Sequence, residues 1–387
     1  MTKALINHDM LAWASDRAGI DAEGLAVRLK VDFAKVETWL AGSDRPTFRQ
    51  AQKAANLLQV PFGFLFLHNP PADELPLPDL RTVGGDPARS LDLNFRDLLR
   101  DVIFKRDWYR DYVADLEGEE FAFVGSFDVA DDPATVAKSM REVLFGQVAE
   151  PPPAANWENH LANLMKAAEA AGIWVMRNGI VGSNTHRPLS VKQFRGFAIS
   201  DRLVPLVFVN GRDARAAQIF TLAHELAHIW LGQSGISNVD IGEFDYGTHR
   251  QLERKCNAIA AEFLVPEVRF RERWLATRNF VENVDTNSRL FKVSRVVIAR
   301  RALDLGLAER DEYGAFFAAE AARWQRDDDT SGGGDFYRVL PIRNGARFTS
   351  SVVGEAVSGR LLLRQAAALL NTQPASIMKF HRKQQAA

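Results

Sequence analysis

The sequence predicts an α+β protein: an all-α N-terminal module, a Pro/Gly-rich linker, a mixed core and a small helical C-terminal unit, in that order. Three observations predict it. Apolar residues recur at helical spacing through residues 8–67. Three short runs rich in β-branched and aromatic residues crowd together between positions 173 and 209. Two long helical segments follow them, and the first carries a His-Glu-x-x-His run.

The N-terminal module reads as four helices. Met10, Leu11, Ala14 and Ala18 mark the first, and Leu25, Ala26 and Leu29 the second. Val36, Trp39 and Leu40 mark the third, and Ala51, Ala54, Ala55, Leu57 and Leu58 the fourth. Breaks fall at Gly19, at Val31-Asp32 and from Gly42 to Pro46. Asp32 is placed to cap the third helix, where its carboxylate can accept free backbone amides. Residues 69–90 are rich in proline and glycine and read as an extended linker. A central region over 91–330 opens with a long helix at 93–116 and continues with another at 156–171. The strand-like runs are Ile173 to Met176, Phe194 to Ser200 and Val204 to Val209, and their proximity predicts a small, largely antiparallel sheet. Helices are expected again at 214–231, 248–264 and 294–305. Asp327 to Asp329 and Ser331 to Gly334 read as a solvated hinge. A C-terminal unit over 331–387 follows, with helices near 358–370 and 374–382.

Composition narrows the class. With 387 residues, 47% of them hydrophobic, the chain has material for two or three domains and a sizeable core. A net charge of -1 leaves no bulk attraction to nucleic acid or an anionic membrane. Cys256 is the single cysteine, so no disulfide forms within the chain, which suits a reducing compartment. The first residues are interrupted by Lys3, Asn7, His8 and Asp9 and lack the apolar stretch of a signal peptide. The most apolar stretch, 220–231, is too short to span a bilayer. A cytoplasmic protein is the expectation.

The chemistry is concentrated in His224-Glu225-Leu226-Ala227-His228. Residues four apart on a helix point the same way, so both imidazoles can share one metal ion. Glu225 is then close enough to reach a water activated there without being a ligand. Phe220, Leu222, Ile229 and Trp230 make the flanks those of a buried helix, where histidines without partners are costly. Tetrahedral zinc with one open position needs a third protein donor. Glu253 on the next helix is the expected one, sharing a face with Asn257; Glu262, more than two turns further on, is the competitor. Zinc is the expected ion, and the reaction it serves is peptide hydrolysis, with Glu225 as general base and then acid. A substrate peptide is expected to lie extended along a sheet edge formed by Val204 to Asn210. Cys256 reads as a small buried residue beside the site. His249 and Tyr246 lie between the metal motifs, where a loop role is the simpler reading than an oxyanion donor.

At these residues the chain resembles the ImmA/IrrE family of metallopeptidases. The stretch that carries the resemblance is Gly196-Phe197-Ala198-Ile199-Ser200, then Phe220 through His228, then Gly235-Ile236-Ser237-Asn238, and Glu253 to Pro266. The resemblance implies a zincin-like core, with His224, His228 and Glu253 as zinc ligands, Glu225 as the catalytic acid/base and Asn257 holding a ligand in place. It also implies a partner: members of the family cleave helix-turn-helix repressors, and others sit in toxin–antitoxin pairs, some beside PIN-like ribonuclease toxins. Three functions therefore compete: an endopeptidase for one partner, an antitoxin or regulator, and a DNA-reading transcription factor. An intact Glu225 favours the first over the second, because a structural zinc site has no use for that carboxylate.

The N-terminal module resembles XRE-type helix-turn-helix units more loosely. Its second motif helix would be Phe33 to Leu40, where only Lys35 and Thr38 suit contact with DNA. Over residues 1–68 eight basic side chains stand against seven acidic ones, a net of +1, which is a weak footprint for phosphate. Lys35, Arg45 and Arg49 can still form a local patch, so DNA through residues 8–67 stands beside dimerisation or partner docking. The segment 289–305 resembles half of such a motif, and the competing reading is a packing helix with a basic face.

Overall fold

The computed structural model describes residues 2–71, 92–148, 150–237, 250–324 and 335–385. Most of the expected linker, the Asp327–Asp329 and Ser331–Gly334 hinge, and Tyr246 and His249 lie outside the described residues. Those described form two compact units, one of residues 2–71 with 92–96, the other from Asp97 onward.

The first unit is α1 (His8–Ala18), α2 (Ala22–Leu29), α3 (Phe33–Leu40), α4 (Phe48–Leu57) and a 3-10 turn at Phe62–Phe66. Its core holds most of the apolar set read from the sequence, with Leu11, Leu25, Val36, Trp39 and Ala55 buried, joined by Leu65; Ala18, Leu40 and Leu57 are only partly buried. Each break has a local cause. Gly19 takes the left-handed conformation that stops α1, and Lys30 does the same after α2. Thr47 and Gln50 form a reciprocal capping box that starts α4. Asp32 does stand at the start of α3, but its side chain makes no capping bond there. Its carbonyl instead receives the Lys35 and Val36 amides.

The second unit is built around a four-stranded sheet. Its helices before the sheet are α5 (Leu93–Asp115, from Asp97 on), α6 (Pro133–Phe145) and α7 (Trp157–Ala170). The strands are β1 (Trp174–Asn178), β4 (Gly196–Ile199), β5 (Leu206–Asn210) and β6 (Gly235–Ser237), in spatial order β1-β5-β4-β6. β4 runs antiparallel to both β5 and β6, whereas β1 runs parallel to β5. A separate hairpin pairs β2 (Ile180–Val181) with β3 (Asn184–Pro188). The expectation that Val204 to Asn210 forms a free edge is therefore corrected: β5 is paired on both sides. Its five residues are all buried, as a central strand's are.

Helix α8 (Arg215–Trp230) packs on this sheet, and α9 (Arg250–Leu264) packs on α8 and on α6. Then come α10 (Glu267–Arg273), α11 (Phe280–Phe291), α12 (Arg295–Asp304) and α13 (Arg310–Trp324). α12 is a packing helix: Val296, Val297, Ile298, Ala299, Arg301 and Ala302 are buried. Its cations are used internally, Arg300 on Asp304 and Arg295 on Asp285 and Glu320. The C-terminal helices are α14 (Phe336–Asn344), α15 (Ala346–Val357), α16 (Leu363–Leu369) and α17 (Pro374–Gln385). The helix expected at 358–370 is the shorter α16, beginning only at Leu363, and α15 before it, ending at Val357, is a further helix that the sequence reading did not include. α14 and α15 pack against β1, where Trp174 stacks on Phe348 at 4.5 Å and its indole N–H donates to the Asn344 carbonyl at 2.6 Å. Among the described residues no helix is long and apolar enough to cross a membrane.

Candidate metal centre

α8 lies wholly inside the second unit, and every side chain from Gln218 to Trp230 is buried. Its first turn has no capping side chain; Gln218 ties that turn to the preceding loop by donating to the Gly211 and Asp213 carbonyls. Its last turn is clamped by the loop 121–127. There Gly125 donates to the Ile229 carbonyl and Phe127 to that of Trp230. Gly125 and Gly232 meet backbone to backbone; a Cβ on either would lie 3.3 or 3.0 Å from the other's Cα, and both have positive φ. Trp230 completes the clamp, stacking on Phe123 and donating to Ser139. Both ends of the motif helix are therefore held, which fixes the height of His224 and His228.

The histidines converge. Their Nε2 atoms are 3.1 Å apart, and the carboxylate of Glu253 on α9 lies 3.1 Å from His224 Nε2 and 3.3 Å from His228 Nε2. Donors on a tetrahedral ion at about 2.0–2.1 Å are about 3.3 Å from one another. The residues present fit a metal of that size. Cys256, one turn beyond Glu253, is also buried here, and its sulfur and the two imidazoles offer donor atoms within 4.8 Å of one another. His224, His228 and Cys256 thus form a buried group able to hold a metal, and Glu253 offers an oxygen closer still.

Asn257 Oδ1 lies 2.9 Å from His224 Nδ1. An amide oxygen only accepts, so Nδ1 carries the proton and Nε2 presents its lone pair toward His228 and Glu253. The electrostatics follow from enclosure. Burial opposes charge on Glu253, but His224 and His228 outweigh it and hold the carboxyl well below the usual carboxylate range. Burial lowers the His228 imidazole despite its bond to Glu253. Burial and the nearby Glu253 and Glu225 push the Cys256 thiol up. Carboxylate and neutral imidazole are the forms a divalent cation takes.

Glu225 is fully buried and lies against strand β4. The contact depends on Gly196: a Cβ there would stand 2.8 Å from Glu225 Oε1, 2.7 Å from Thr221 Cγ2 and 2.9 Å from the Phe208 carbonyl. Position 196 was read only as part of a resembling stretch; a glycine inside a strand, where it marks close approach, was the available signal.

Glu262, the competitor for the third ligand, is elsewhere engaged. It forms a buried ion pair with Arg301, receives the Glu267 amide, and sits in a helix end whose carbonyls take Arg141. Arg301 also donates to the Val265 carbonyl. These two arginines lock the end of α9, and nothing in the spacing of the sequence pointed to either.

Residues 168–303 match the family model of the IrrE N-terminal-like domain, a peptidase family. The match spans all six strands and the helices α8 to α11 with nearly all of α12. Residues 344–383 match a domain of unknown function, DUF8813. No curated protein matches the chain. The middle of the chain is thus similar to the IrrE N-terminal-like domain, a metallopeptidase-like family, and its two motif histidines lie in a buried group able to hold a metal.

Proposed function

We propose that this protein is a zinc-dependent endopeptidase that cuts a partner protein, a helix-turn-helix regulator being the expected substrate. One observation carries the reading: three donor side chains at tetrahedral spacing with a fourth acidic side chain, Glu225, beside them on the same helix. His224, His228 and Glu253 hold the ion, and Asn257 orients His224. Bound zinc supplies Lewis acidity, lowering the pKa of a water to roughly 7 and polarising the scissile carbonyl. Glu225 takes the proton of the attacking water on its carboxylate and returns it to the leaving nitrogen. The missing side chain at Gly196 leaves the room that this carboxylate occupies.

The substrate strand pairs with a sheet edge by main-chain hydrogen bonds. β1 is packed over by α14 and α15, and β5 and β4 are internal. β6 remains, pairing among the described residues only with β4, and its Ser237 is in register with Gly196, next to Glu225. We therefore assign peptide docking to β6.

The test is co-expression of the protein with the product of the adjacent gene, in parallel with the Glu225→Gln variant, followed by intact-mass spectrometry. Fragments with the active form alone support the peptidase and locate the cut. A partner left whole by both forms yet co-purifying with both would replace cleavage by an antitoxin or scaffold role.

A further inference from the structure

The near-neutral total charge hides an asymmetry. Over residues 335–385 eight Arg and Lys side chains stand against two carboxylates, a net of +6 in a chain whose total is -1. The N-terminal module over 1–68 carries only +1. The two acids are already engaged. Glu355 binds Arg360 through both oxygens, at 2.6 and 2.7 Å. Asp335 caps α14 by accepting the Tyr337 amide; that bond first, with Lys383 and Arg338 nearby, holds its carboxyl below the usual range.

The backbone beneath this charge is a helix, a tight turn and a second helix. α16 ends at Leu369, α17 starts at Pro374, and Asn371 between them adopts the left-handed conformation at φ 50°. Ala366 and Leu369 of the first helix and Ile377 and Phe380 of the second are buried in a three-helix cluster with α15. The turn is mounted firmly. Asn371 donates to Asp101 at 2.8 Å, Ser183 donates to the Asn371 carbonyl at 2.6 Å, and Gly182 leaves room for the Asn371 side chain.

What α17 presents outward is cationic. Lys379, Arg382 and Lys383 are exposed and occupy one side of the helix. The Tyr337 ring lies under Lys379 and Lys383, at 5.4 and 4.3 Å. Arg382 donates within its own helix, to the Met378 carbonyl. None of the three forms an ion pair with a carboxylate among the described residues. The start of α17 is small and polar, with Gln373 just before it and Ala375 and Ser376 in its first turn. The contrast is α3 of the first unit, which exposes one cation, Lys35, among Phe33, Ala34 and Glu37, while nearby Lys3 is paired with Asp44.

We propose that α16, its turn and α17 form a binding site for duplex DNA. α17 lies in the major groove, its first turn toward base edges and Lys379, Arg382 and Lys383 on phosphates. Phosphate neutralisation supplies most of such affinity, and the net +6 of residues 335–385 supplies the charge for it, whereas Arg295 and Arg300 of α12 are already paired with carboxylates.

Fluorescence anisotropy of the full chain with a mixed-sequence 20-base-pair duplex, titrated between 50 and 200 mM salt, is the test. Binding is expected at the low-salt end. Replacing Lys379, Arg382 and Lys383 together by Gln should weaken it at least tenfold and lower the log–log salt slope by about three, since each phosphate contact contributes roughly 0.9. Lys35→Gln with Arg45→Gln and Arg49→Gln in the first unit should change neither. Ala375→Glu, at an exposed position, should also weaken binding and covers the case of a triple variant that melts early. The proposal is overturned by absence of binding at 50 mM salt, by an unaffected triple variant or Ala375→Glu, or by loss that follows the first-unit substitutions instead. Equal competition by single-stranded RNA or anionic phospholipid vesicles would overturn it as well.

Discussion

Asn257→Ala removes a single hydrogen bond, and its consequence for metal binding can be worked from the geometry. The Asn257 oxygen, 2.9 Å from His224 Nδ1, is what keeps the proton there and the Nε2 lone pair free. On metal binding the imidazole becomes polarised, so the bond has charge-assisted character, worth about 1.5–3 kcal/mol. A tenfold change in affinity is about 1.4 kcal/mol, so that range corresponds to roughly 10- to 100-fold. Orienting groups of metal-bound histidines cost about the same when removed. Asn257→Ala should therefore raise the zinc Kd by 10- to 100-fold, read by competition against a chromophoric chelator at pH 7. Asn257→Asp, which still accepts the bond and adds negative charge, should hold zinc at least as tightly as the native chain. Circular dichroism of both apo-proteins controls for folding. An Ala variant within twofold of the native Kd would show that His224 is oriented by packing alone, and the tautomer argument would fall.

Other outcomes follow from neighbouring contacts. Gly196→Ala forces a Cβ to within 2.9 Å of a backbone oxygen as well as onto Glu225, so it should cost about 1–3 kcal/mol in urea unfolding; unchanged stability would mean that β4 yields freely. Glu253→Gln should strip zinc on dialysis, whereas Glu262→Gln should keep it; the reverse pattern by elemental analysis would exchange their roles. Arg301→Met leaves Glu262 buried without its partner and should lower stability by about 3–5 kcal/mol, with Arg301→Met/Glu262→Leu less costly than the single change. Stability should also depend on pH through two buried groups of opposite sign. Burial, then Lys292, lowers His160 from 6.5 to about 4, so the unfolded chain takes up the proton first and stability rises with pH across that window. Burial raises Glu169 from 4.5 to about 7 against its backbone bonds to Ala346 and Val175, so stability falls as pH rises from 4.5 to 7. Glu169→Gln should steepen the rise in thermal midpoint between pH 4 and 6.5 and His160→Asn should flatten it; profiles superimposable on the native one would remove both groups from the linkage.

The sequence by itself determined the local structure and which side chains the candidate site draws on. Helical spacing located the N-terminal helices, α5, α7, α8, α9 and α12 to within a few residues, because apolar periodicity and capping chemistry are short-range properties of the chain. The i, i+4 placement of His224 and His228 is likewise local, and the structure brings Glu253 and Asn257 to them as the shared face of one helix predicts. Tertiary structure alone decided the rest. Three buried runs in a row do not say which lies in the middle, and β5 turned out to be internal because β1 pairs with it in parallel from its other side. Glu253 and Glu262 are both acidic residues on one helix, and only the arrival of Arg301, 39 positions away, commits Glu262 to an ion pair. Gly196 acquires its importance from Glu225 on another element, and the charge of α17 acquires its direction from the Asn371 turn pinned to Asp101 and Ser183. Pairing, packing and charge presentation depend on residues far apart in the chain, and no local pattern records which of them will meet.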